Sequence, residues 1–184
     1  MLAAECAWAI LRAEHARTRE LLARLDTAMK TEGEASVQQR ATSAIEVIER
    51  LEAFEETTHR PKGVVMLNML RGRSSEADKL LDELDSESEC CSGLLSQAKT
   101  ILKRAEAGDT RAAVEADALL QQHRQLMYVH LDKEDTLLHS QTALLLTAEE
   151  WAAVVSSISK EVGEAREREH RRSPVRRQVS KPAA

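Results

Sequence analysis

Trp8, Leu11, His15, Thr18, Leu22, Leu25 and Met29 follow one another at alternating intervals of three and four residues. That spacing lays a narrow stripe along one side of an α-helix, the seam by which a helix joins a bundle. A strand, with its period of two, cannot carry it. The stripe is apolar except near its middle, where His15 and Thr18 stand. A single imidazole on such a stripe is ordinarily a hydrogen-bonded core residue, but it is also the side chain most used to hold a metal. What the other helices bring to the same level decides between the two.

The rest of the chain is helical by the same criteria. Hydrophobic residues make up 42% of the 184, yet aromatics only 2% (Trp8, Phe54, Tyr128 and Trp151), so the apolar mass is Leu, Ala, Ile and Val. Three prolines and six glycines barely interrupt it. After the turn TEGEAS (31–36), a second helix is expected from about 35 to 58 with Ile45, Ile48 and Leu51 inward. In THRPKG (58–63), Pro61 disfavours a helical Arg60, which puts His59 at a break or kink before a further helical stretch to about residue 71. Ser74 with Ala77 and Asp78 opens a third helix through Leu80, Leu84, Cys91, Leu94, Ala98 and Ile101, ended by AGD (107–109). A fourth runs from about 110 to 139 through Leu119, His123, Met127, His130, Glu134 and Leu137. Thr147 with Glu150 forms a capping box for a short fifth helix. The expected architecture is all-α, an up-down-up-down four-helix bundle with a short extra C-terminal helix.

Charge is unevenly spread. The chain as a whole carries −5, but residues 164–184 hold seven basic and three acidic side chains. This divides the chain into a bundle over 1–163 and a basic, flexible tail over 164–184, too poor in apolar residues to fold alone. The acidic body speaks against nucleic acid as a partner, although the tail alone would attract it. The apolar runs fall well short of the roughly 20 residues that span a bilayer. Cys6, Cys90 and Cys91 are an odd set that fits a reducing compartment, and a cytoplasmic location is expected. No nucleophile–base pair, phosphate-binding glycine loop or Ser/His/Asp arrangement points to an enzyme.

His15, His59 and His130 come from three different helical segments and fall where the bundle interior should be. Glu134 lies one turn beyond His130 on the same face. Imidazole and carboxylate converging inside a bundle suit divalent iron, manganese or zinc, and an ion there would offset the cost of burying Glu134. Each residue also has a plainer reading: His15 as a core histidine, His59 as a cap, and His130–Glu134 as a solvent-facing pair among Asp132, Lys133 and Asp135. His123 and His139 are placed at the surface or the core edge.

The ordered series LRAEH (ending at His15), THRPKG (with His59), LDELDSESECCSG, YVHLDKEDTLL (with His130 and Glu134) and LLTAEEW resembles the hemerythrin-like family, the HHE cation-binding domains, over roughly residues 5–160. The resemblance implies a four-helix bundle whose histidines and carboxylates hold two bridged non-haem iron ions and bind dioxygen or sense oxygen and redox state; nitric oxide is a further possible ligand. By that resemblance His15, His59, His130 and Glu134 are the metal ligands. Two positions depart from the pattern. Gly63 stands where a bridging Glu is expected four residues after His59, and Cys90 stands where a His precedes Gly93 by three. Three outcomes remain open: one ion on the surviving ligands, with or without a Cys90 thiolate; two ions completed by other residues; or a metal-free helical module that meets a protein partner through its surface and tail.

Overall fold

The computed structural model describes residues 2–30 and 35–172. The described residues are helical apart from short turns: α1 (Leu2–Lys30), α2 (Val37–Phe54), α3 (Arg60–Leu70), α4 (Ser75–Glu106), α5 (Thr110–Lys133), α6 (His139–Leu145) and α7 (Ala148–Arg172). Single π-helical turns join α2 to α3 (Glu55–His59) and α5 to α6 (Glu134–Leu138), so each of these pairs is one continuous rod.

Local sequence sets the ends. Ser36 Oγ accepts from Gln39 N at 3.2 Å and Gln39 Oε1 accepts from Ser36 N at 2.8 Å, a reciprocal cap that starts α2. Ser74 Oγ accepts from Ala77 N to start α4. Between α4 and α5, Gly108 takes φ 104°, open to glycine at little cost, and Asp109 then caps α5 through Arg111 N and Ala112 N. Thr147 and Glu150 form the expected box before α7.

Three expectations need correction. Arg60 is helical (φ −52°, ψ −47°), and the chain does not break at Pro61. It widens instead: Arg60 N–H bonds the Glu55 carbonyl five residues back, and the missing donor of Pro61 falls where the π turn hands over to α3. The second π turn shifts the register of the fourth rod by a residue, so Leu138 is buried whereas Leu137, expected inward, is exposed. Helix α7 is 25 residues long and passes residue 164 without interruption, assisted by helix-forming Ala, Glu and Arg and a Lys160–Glu164 pair one turn apart. Residues 164–172 are therefore helical rather than tail; the remaining tail, 173–184, lies outside the described residues.

The core has two apolar regions. One joins Trp8, Leu11, Met66, Leu70, Leu80, Leu84 and Leu138 to Trp151, Val154 and Ile158 of α7. The other joins Leu21, Leu22 and Leu25 to Ile48, Leu51, Leu95, Leu102, Ala116 and Leu120. Glu14, His15, Thr18, Lys62, His123 and His130 are buried polar or charged residues. On α1, Glu14, His15 and Thr18 fall between the residues of the two clusters. A polar layer thus divides the bundle.

Candidate metal centre

The α1 stripe is buried as its spacing predicts, from Trp8 through His15 and Thr18 to Leu25. This puts His15 in the polar layer. His59 ends the first π turn and Glu134 opens the second. A π turn adds a residue per turn and re-aims the side chains beside it, and such turns frequently occur at functional sites. His130, four residues before Glu134, completes the group.

Glu134 is its hub. His15 Nε2 lies 2.9 Å from Glu134 Oε2, His59 Nε2 3.7 Å from the same oxygen, and His130 Nε2 3.7 Å from Oε1. Donor atoms of His15, His59 and Glu134 all fall within 4.8 Å of one another. His130 does not join that mutual group and meets it through the other carboxylate oxygen. Metal–nitrogen and metal–oxygen bonds near 2.1 Å separate neighbouring ligand atoms by about 3–3.5 Å; the 2.9 Å and 3.7 Å separations around Glu134 lie close to that range, and a small contraction of the group would bring it to one ion.

The other nitrogen of each ring faces outward to a carboxylate. His15 Nδ1 pairs with Asp135 Oδ1 at 2.7 Å, and His59 Nδ1 with Glu14 Oε2 at 3.4 Å. His130 Nδ1 faces Glu87 Oε2 at 3.4 Å without hydrogen-bond geometry. Each outer carboxylate in turn meets a cation: Asp135 meets Arg19 at 3.0 Å, Glu14 meets Lys62, and Glu87 meets Lys133. Imidazoles whose far nitrogen is held by a carboxylate are the usual second layer of a metal site, because the contact fixes the tautomer and ring orientation.

An ionised Asp135 only accepts, so the proton of neutral His15 sits on Nδ1. Its Nε2 then presents a lone pair to the buried Glu134 Oε2, 2.9 Å away. Two lone pairs at 2.9 Å repel unless a cation or a second proton stands between them. The donor set fits a divalent ion. Without an ion, protons serve. Burial disfavours the charged form of His59, but hydrogen bonds to Glu134 and Glu14 outweigh it and raise its pKa to about 10. Burial likewise works against the Glu134 anion, yet His15 and His59 hold its carboxyl far below the usual range.

A cleft of about 670 Å³ reaches His15, His59, His130 and Glu134, walled by Trp8, Leu11, Met66, Leu84 and Leu138, with Gly63 and Arg60 also on its lining. A second cavity of about 550 Å³ shares His59 and His130 and extends to Cys91, His123 and Met127. Cys90 is exposed and takes no part, and burial pushes the neighbouring Cys91 thiol up to about 12. His123, expected at the surface or core edge, is 1% exposed with Nδ1 unpartnered among the described residues, and desolvation lowers its pKa to about 4. His139 is half-buried, its ring edge-on to Trp8 at 5.0 Å.

Sequence reasoning missed Glu14, Asp135, Glu87, Lys62 and Arg19. The available signal is charge immediately beside the ligands, Glu14 next to His15 and Asp135 next to Glu134; Asp135 on its own suggests a solvent-facing pair instead.

Fold and site together define a helical bundle with a buried His/Glu group in its interior that could hold a cation. The sequence model of the hemerythrin HHE cation-binding domain matches residues 6–142, and the chain belongs to that family. The match ends within α6, before α7. No curated protein and no solved structure matches the chain. No helix among the described residues is long and apolar enough to cross a membrane.

Proposed function

We propose that this protein is a hemerythrin-like binder of a single non-haem iron ion, held by His15, His59, His130 and Glu134, with dioxygen or nitric oxide as its small-molecule ligand and no enzymatic turnover of its own. One observation carries the reading: three Nε2 atoms from three helical rods converge on the one carboxylate of the inner group, which has no lysine or arginine partner among the described residues. The four rods joined by short turns fit an up-down-up-down bundle, and three unpaired thiols fit a cytoplasmic setting.

Each residue has a separable task. Glu134 supplies the anionic oxygen. His15, His59 and His130 supply neutral nitrogen, His15 and His59 oriented through hydrogen bonds to Asp135 and Glu14. Trp8, Leu11, Leu84 and Leu138 line one part of the cleft and Glu55, Arg60, Asn68 and Asp85 another, and the cleft has room for a small ligand beside the group. Iron bound there supplies an open coordination position and reversible one-electron chemistry.

The alternative, a metal-free interaction module, draws on the protonated His59, which can balance Glu134 without an ion. The two readings separate on anaerobic reconstitution with ferrous iron. Ours expects stoichiometric iron after gel filtration and a changed visible spectrum on adding nitric oxide. Protein that retains no iron overturns it and leaves the module.

A further inference from the structure

Of the three cations that meet the outer carboxylates, Arg19 and Lys133 are 29% and 25% exposed, whereas the Lys62 side chain is only 7% exposed. Removing an ammonium from water is costly, and the pairing must repay it. A lysine stem is long enough to carry its charge to the surface from most helical positions. Lys62 keeps it inside, against Glu14, which is itself buried.

Glu14 binds through both oxygens. Oε1 takes Lys62 Nζ, and Oε2 takes His59 Nδ1 at 3.4 Å. The carboxylate thus bridges an ammonium and an imidazole. His59 stands between two carboxylates, with Nδ1 towards Glu14 and Nε2 towards Glu134. Without the ammonium, the Glu14 side would be a second anionic position beside the first, with Glu55 of the same π turn adding its negative charge. Next to Lys62, Gly63 contributes no side chain, although an added Cβ would meet only Leu67 Cδ1, at 3.9 Å. The Glu14 position is therefore neutralised by the chain itself.

We propose that the Lys62 ammonium is a resident cation which occupies the Glu14 side of His59 in place of a second metal ion and so limits the centre to one. The inference rests on the proposed metal site and adds its nuclearity. It also assigns Lys62 a role distinct from that of Arg19 and Lys133, which hold their carboxylates at the edge of the bundle.

The test is a cobalt(II) titration of the full chain with metal counted by mass spectrometry after gel filtration. The proteins are wild type, Lys62→Arg, Lys62→Met and Lys62→Met/Glu14→Gln. Wild type and Lys62→Arg should hold one ion. Lys62→Met should gain a second, weaker equivalent, because Glu14 is left as an unpaired buried anion. The double variant, without that anion, should return to one. If Lys62→Met does not fold, Lys62→Gln must show the same second equivalent. Two ions in wild type overturn the inference, as does a single ion in Lys62→Met or its substitute. No ion in wild type overturns the metal site itself, a result distinguishable from either.

Discussion

His15 Nε2 stands 2.9 Å from Glu134 Oε2 while His15 Nδ1 is engaged by Asp135. These residues are more than a hundred positions apart in sequence, and each makes the other's burial tolerable only if positive charge lies between them.

Asp135 acts on the ion through His15. Asp135→Ala should weaken metal binding about 10–100-fold, the usual cost of losing an outer-layer carboxylate. Asp135→Asn keeps an acceptor for Nδ1–H and should recover part of the loss. Competition against a chelating dye reads both.

The three histidines should not be equivalent. His15 and His59 share Glu134 Oε2 and belong to the mutually close group, whereas His130 approaches only Oε1. His15→Ala and His59→Ala should therefore cost more affinity than His130→Ala, measured by the same competition. Equal losses would contradict the ranking.

His123 predicts a pH dependence independent of metal. Its pKa falls from 6.5 to about 4 in the fold because burial disfavours its charge. The unfolded chain binds the proton more readily, so this contribution is complete above pH 6.5 and is lost as pH falls towards 4. The loss at full protonation is about 3 kcal/mol. Urea unfolding in the presence of chelator, from pH 7 down to 5, should show stability declining, and His123→Met should flatten the decline. The other titratable groups lining that cavity, Glu49, Glu52, Glu55, Glu56, His59, Arg60, Cys91 and His130, remain in the variant as an internal control.

Packing away from the polar layer should affect stability alone. Leu102 is fully buried in the second apolar region. Leu102→Ala should cost about 2–5 kcal/mol with the metal content unchanged. A lost ion would mean that the layer is less independent of its flanking cores than the geometry implies.

The helical seams and the inner ligands could be read from periodicity because both obey the 3.6-residue repeat. Trp8 to Leu25 lie where spacing puts them, and His15 follows. What failed were departures from that repeat. A π turn inserts a residue without any compositional mark, so the buried position is Leu138 and not Leu137. In α4, which is α-helical throughout, Leu95 and Leu102 are buried rather than Leu94 and Ile101, because neighbouring apolar residues leave the inward face ambiguous by one position. Pro61 signalled an irregularity, but its form, a widened turn that keeps Arg60 helical, depends on the packed bundle. The outer layer was hidden for another reason. Asp135 meets His15, Glu14 meets Lys62 and Glu87 meets Lys133 across helices, and a single sequence does not reveal which charges meet across helices.

The central claim is that Glu134 and three imidazoles hold one divalent ion. The most direct measurement is iron per chain, by plasma mass spectrometry, for wild type and Glu134→Gln reconstituted anaerobically with ferrous iron. One iron is expected in wild type and none in Glu134→Gln, with both proteins folded by circular dichroism. Wild type without iron, or Glu134→Gln retaining it at full stoichiometry, would contradict the claim.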